Sequence, residues 1–170
     1  MGLTAALLTF LDWAQRMATL KDLVHGQPVA ALGTLHEGRP FVSMVPFAVL
    51  PDGSAIVIHV SHLATHTKNM LDSPEVSIMV VAPLTPELSP QELPRVTMQG
   101  QAVPCDATDP RYVEAKSVYV ERFPQSAGMF DFADFQLFLI EPKSARYVSG
   151  FARAATLGPE ALADALRRQR

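Results

Sequence analysis

The sequence predicts an α+β fold in which about six antiparallel strands form a barrel or open sheet flanked by a few helices. Three observations carry this. Apolar and polar residues alternate in several short runs; the early runs are joined by brief Gly-containing turns; and helical three-and-four spacing recurs at only a few places. Turns that short exclude the long crossovers a parallel sheet requires.

The first element is a helix. Phe10, Trp13, Met17, Leu20 and Val24 recur at steps of three and four, with Asp12, Gln15, Arg16 and Asp22 on the other side. Gly26 and Pro28 stop it near His25. Val29 to Leu35 then reads as a strand, followed by a turn at His36-Glu37-Gly38 and a second strand from Pro40 to Leu50. Pro51-Asp52-Gly53 makes the next turn, because proline presets one central φ and glycine accepts a positive one. Ala55 to Ser61 is the third strand. Helical residue types fill His62 to Asp72, with Ser61 as the expected N-cap and Pro74 as the stop. Glu75 to Val81 and Arg95 to Val103 read as strands, separated by a surface loop, 83–94, whose four prolines exclude regular pairing. Asp109 caps a helix running to Phe123, with Pro110 in its first turn. Strands are expected at Phe130 to Phe132, Phe135 to Ile140 and near Arg146 to Phe151, and Gly158-Pro159 opens a last helix.

A chain of 170 residues supports one domain: a helix over about 4–25, a barrel over about 28–151 and a helix over about 158–170. With 48% hydrophobic and 18% charged residues, it carries too much apolar material for disorder. A net charge of -3 offers no basic stripe for a phosphate backbone, so nucleic acid is not an expected partner. The lone Cys105 cannot form an internal disulfide, and the chain reads as cytoplasmic. The apolar run Ala5 to Leu11 lacks a preceding Lys or Arg and is stopped by Asp12, so neither an export signal nor a membrane span is expected.

Chemistry concentrates in three places. On the second strand, Phe41, Ser43, Val45 and Phe47 share one face and Val42, Met44 and Pro46 the other. Pro46 removes a backbone donor, which marks either an edge or a place where a ligand approaches the backbone. His59 and Ser61 share a face of the third strand and lead into Ser61-His-Leu-Ala-Thr-His-Thr-Lys-Asn69. Hydroxyls, imidazoles, an ammonium and an amide thus meet a helix start, where unpaired N–H groups favour an anion. A plain helix cap with solvated His62 and Lys68 is the competing reading. The polar face Arg95, Thr97, Gln99 and Gln101 on the fifth strand suits either a polar ring system or solvent. His59, His62 and His66 lack a Cys or acidic residue at ligand spacing, and no metal site is expected. Acidic neighbours disfavour a Cys105 thiolate. Hydrolase, P-loop and dinucleotide motifs are missing.

The run Val29-Ala-Ala-Leu-Gly-Thr-Leu35, Pro40-Phe-Val-Ser-Met-Val-Pro-Phe47, His59-Val-Ser-His-Leu-Ala-Thr-His-Thr-Lys-Asn-Met70 and Ser73-Pro-Glu-Val-Ser77 resembles the pyridoxamine-5′-phosphate-oxidase-like FMN-binding split barrels, and most closely their haem-utilisation branch. The Ser-x-x-Pro-Phe and Leu-Ala-x-His-Thr-x-Asn elements carry the resemblance, which extends from about Leu20 to Phe151. It implies a six-stranded split barrel that forms a homodimer with an FMN in each of two clefts between subunits. It places Ser43, Met44, Val45 and Pro46 beside the flavin ring, and His59, Val60 and Ser61 along the ring and ribityl chain. Thr65, His66, Thr67, Lys68 and Asn69 would hold the phosphate, while Arg95 and Gln99 reach the flavin of the other subunit. The Arg and Lys pair that the oxidase uses at the phosphate is replaced by Thr65 and His66, and its C-terminal substrate motif is not evident. The implied function is FMN-dependent oxidoreduction of a small-molecule substrate, with catalytic residues unassigned; the alternatives are a flavin or haem carrier without turnover, and a structural module that has lost its cofactor. Loops 83–94 and 123–132 would shape the substrate side.

Overall fold

The computed structural model describes residues 15–150 and 153–168. Phe10 and Trp13 of the expected first helix, Phe151, and the last two residues of the expected final helix lie outside them. Helix α1 covers 15–26, and Met17, Leu20 and Val24 are buried as their spacing predicts. Strands β1 (Val29–His36) and β2 (Arg39–Pro46) form a hairpin closed by Glu37 and Gly38, both at positive φ (51° and 73°). That pair gives the turn whose twist matches the strands it joins. The expected long second strand breaks at Phe47, leaving the short β3 (Ala48–Val49) to pair with β4 (Ile56–Ser61).

Helix α2 (Thr65–Asp72) is followed by β5 (Glu75–Val81), β6 (Arg95–Cys105), α3 (Tyr112–Arg122), β7 (Phe135–Gly150), β8 (Arg153–Leu157) and α4 (Pro159–Leu166). The strands run antiparallel in the order β2-β1-β5-β6-β7-β4-β3, with β8 on β7. β2 is an edge of this order, which accommodates Pro46, and it meets β4 across the opening of the split barrel.

Eight strands form where about six were expected. β7 is one strand rather than two separate ones, because β6 pairs along most of it while β4 takes Phe135 to Ile140 and β8 takes Ala145 to Gly150. A bulge at Gln99/Gly100 bends this ladder, and a Cβ on Gly100 would sit 2.1 Å from the Glu141 carbonyl oxygen, so only glycine fits. Phe130 to Phe132 is not a strand. Pro124–Asp131 winds as a 3-10 segment instead, because Phe130 turns inward onto His59 and is unavailable to a ladder.

Two caps also differ from expectation. Asp109 does not cap α3 directly; its carboxylate accepts the Arg111 amide at 2.8 Å and pairs with that guanidinium at 3.0 Å, and Arg111 is the N-cap. Ser61 is too far back to cap α2, whose N-cap Ala64 supplies no side chain.

The barrel interior, with Leu32, Val45, Ile58, Ile78, Met98 and Phe138, is closed by α1 and α4. A second cluster on the outside of β3, β4 and β7 packs under α3 through Val118 and Tyr119. β4 is therefore covered on both faces, consistent with its nearly unbroken apolar run. No helix among the described residues is long and apolar enough to cross a membrane.

Candidate functional site

The β4–α2 junction is built by short-range polar contacts. Ser61 Oγ donates to Asp134 Oδ2 at 3.0 Å and accepts the Leu63 amide at 3.1 Å, while the His62 amide donates to the Asp134 carbonyl at 2.6 Å. Thr67 Oγ1 donates to the Ser61 carbonyl at 2.7 Å, folding the first turn of α2 back onto the strand. Asn69 Nδ2 donates to Thr34 Oγ1 at 2.9 Å, and its Oδ1 faces His36 Nδ1 at 2.9 Å. Thr67 and Asn69 are buried, so these two side chains fix the helix on the barrel. Thr65 and Lys68 are exposed and His66 is half-buried. Burial holds the His66 imidazole below its ordinary pKa, which favours the neutral ring. α2 lacks a side-chain cap, and with the Thr67 and Lys68 amides bonded to the Ala64 carbonyl, the Thr65 and His66 amides are the ones left to a ligand.

On β2 the predicted alternation holds. Val45 is buried in the barrel, so only its backbone can face a ligand; Val42 and Met44 point outward at 69% and 62% exposure, and Pro46 is exposed. Ser43 Oγ is buried without a hydrogen-bond partner, a group whose desolvation is uncompensated. Val60 also points into the barrel.

His59 lies apart from this surface. Its ring stacks on Phe130, with centroids 3.8 Å apart and planes within 4°, and meets Tyr119 edge-on at 5.7 Å. With Cys105, Tyr112 and Phe135 it lines a separate cavity of about 140 Å³. Burial, and secondarily the Lys116 charge, lower its pKa to about 4. Burial also pushes the Cys105 thiol up to about 11, with Asp109 adding to the shift, so the thiolate is disfavoured as expected.

The remaining predicted residues lie on β6. Arg95 directs its guanidinium to the Leu93 carbonyl at 3.0 Å and the Gln91 carbonyl at 3.4 Å, tying down the end of the proline-rich loop. Gln99 lines a groove of about 340 Å³ with Gly33, Phe41, Val42 and Ser77 on the outer face of the sheet. The structure thus brings Ser61 and Thr67 together at the β4–α2 junction, puts Gln99 on the outer groove beside the hairpin, and leaves His59 behind Phe130. The sequence reading missed His36 and Asp134. A strand-periodic Thr34-x-His36 was the signal for the first; Asp134 gave none, because its contact to Ser61 spans 73 residues.

No group of three or more metal-capable side chains clusters among the described residues.

The fold is that of a split-barrel protein. Residues 17–149 match the family described as pyridoxamine 5′-phosphate oxidase, and the chain belongs to that family. Its relatives include the chloroplastic heme oxygenase HOZ of Arabidopsis thaliana, 37% identical over 140 residues that make up 79% of this chain and 40% of the plant protein. The heme oxygenase HutZ of Vibrio cholerae is 30% identical over 129 residues, 75% of this chain and 72% of HutZ. Among solved structures, a heme binding protein from Mycobacterium smegmatis superposes with a TM-score of 0.78 at 28% identity, covering 88% of this chain and 60% of that one. The chain therefore spans less than two thirds of the plant and mycobacterial proteins.

Proposed function

We propose that this chain binds haem, and that FMN is the weaker ligand at the same edge of the barrel. The observation that carries this reading is the mismatch between the β4–α2 junction and a phosphate dianion. Of the five residues expected to hold phosphate, Thr67 and Asn69 are buried and engaged within the protein, and Lys68 is the one cationic side chain. A phosphate dianion is best held by several charge-assisted donors at once, whereas a porphyrin asks mainly for apolar contact, with carboxylates at its rim. Val42 and Met44 supply exposed apolar surface on the outward face of the edge strand, and on its other face Lys68 and the Thr65 and His66 amides at the start of α2 supply donors for a carboxylate, so the ligand would straddle the edge. The names of the plant, Vibrio and mycobacterial relatives support the same ligand.

Bound haem would supply one-electron and oxygen chemistry; the protein's part is to bind, orient and exclude water. We also propose that two copies meet on the apolar strip of Val42, Met44 and Met79, since a strip of this kind on an edge strand invites association.

Parallel optical titrations with hemin and FMN test the reading. Hemin is expected to bind at micromolar concentration or tighter with one site per chain, FMN at least about tenfold more weakly, which is a difference of about 1.4 kcal/mol. Light scattering should give twice the 18.5 kDa chain mass. Tight FMN binding with no hemin-dependent Soret band would replace haem by flavin.

A further inference from the structure

We propose that the cavity between β4, β6 and the start of α3 binds a small neutral hydroxylated aromatic, a phenol in chemical class, with His59 as the residue that recognises the hydroxyl. It lies apart from the edge strand assigned to haem above. His59 on β4 and Cys105 on β6 are both register partners of Leu137 on β7, so the three side chains rise from one face of the sheet into the layer under α3. There, with Phe130 and Phe135, they line a cavity of about 140 Å³. A cavity of roughly 150 Å³ with aliphatic and aromatic walls takes one benzene ring.

The lining selects the ligand. His59 is 7% exposed, yet its Nδ1 is buried without a hydrogen-bond partner and its Nε2 makes no hydrogen bond among the described residues. An unsatisfied imidazole in an otherwise apolar layer costs stability that a leucine or phenylalanine there would not, so packing alone gives it no purpose. With Nδ1 sealed by the protein, Nε2 is the nitrogen left to the cavity. Burial keeps this ring neutral, with a pKa of about 4, and keeps the Cys105 thiol protonated, with a pKa of about 11. Asp106, the one charged side chain of the described lining, is exposed, and its Oδ1 already accepts the Thr108 amide at 2.8 Å and hydroxyl at 2.6 Å. The Lys116 ammonium, 4.8 Å from the Phe130 ring centroid, turns away a cation. An ion therefore finds no buried counter-charge here, and a neutral ligand enters at the least desolvation cost. A hydroxyl both donates and accepts, so it satisfies Nε2 in either tautomer, which an ether or a ketone cannot do. Phe130, Phe135 and Leu137 supply the apolar wall for the ring that carries it. Tyr112 and Gln136, the other polar side chains of the lining, are partly exposed and open to solvent.

Nitrogen-15 spectra of the hemin-free chain at pH 7 report on His59 directly. Phenol is expected to shift the His59 Nε2 resonance saturably, while benzoate and benzylamine leave it in place. His59→Phe, which keeps an aromatic ring on Phe130, should bind phenol at least about tenfold more weakly and change benzene affinity by less than about twofold. The wild-type spectra decide the matter even where that variant fails to fold. An Nε2 resonance unmoved by phenol up to its solubility would mean that water alone occupies the cavity, and the assignment would be wrong. Equal phenol affinity in wild type and His59→Phe would overturn it too, since the hydroxyl would then be held by Tyr112 or Gln136. Benzoate binding as tightly as phenol would overturn the neutral class of ligand.

Discussion

Gly53→Ala should lower the stability of the folded chain by about 3 kcal/mol or more and its melting temperature by roughly 10 °C. Gly53 has φ +77°, and a Cβ there would meet the Ala163 carbonyl oxygen at 2.1 Å and the Arg167 amide nitrogen at 3.0 Å. These atoms belong to the backbone at the end of α4, so relief requires moving the helix off the barrel. The turn is anchored from the same side by the Arg168 amide, which donates to the Pro51 carbonyl at 3.0 Å. Strain at the turn and the opening of the interior under Leu162 and Leu166 therefore occur together. Thermal melts of the two proteins check this, and a change below about 1 kcal/mol would mean that α4 adjusts freely.

The second large effect is acid destabilisation through His59. In the unfolded chain this imidazole takes a proton near pH 6.5; in the folded chain it does so only near pH 4. Between those values the unfolded state holds more protons, so stability falls as pH falls through the window and the loss is complete below it. The full difference is about 3 kcal/mol. His25 and His66, whose pKa values are also lowered by burial, add in the same direction. His59→Phe keeps an aromatic ring on Phe130 and removes Nδ1, which is buried with no partner. Denaturant midpoints from pH 7 to pH 4 should fall much less steeply for this variant, with stability at pH 7 equal or higher. An unchanged slope would place the acid-sensitive group elsewhere.

Local chemistry made much of the fold legible. The β1–β2 turn, the alternation on β2 and β6, and the buried face of α1 all follow from neighbouring residues and period. What was not legible depends on partners far along the chain. The continuity of β7 is set by where β4 and β8 meet it, and the 3-10 path of Pro124–Asp131 by the stacking of Phe130 on His59. The site divides in the same way. The concentration of polar groups from Ser61 to Asn69 stands out in sequence, yet only three dimensions separate inward-facing Thr67 and Asn69 from outward-facing Thr65 and Lys68. His36 reads as a turn residue until the amide of Asn69, 33 positions later, is seen to hold it.

Crystals grown with hemin and measured at the iron absorption edge test the central claim most directly. The account predicts one anomalous peak per chain at the edge strand β2 beside the first turn of α2. Anomalous density elsewhere on the barrel, or none where hemin is present in excess, would contradict it.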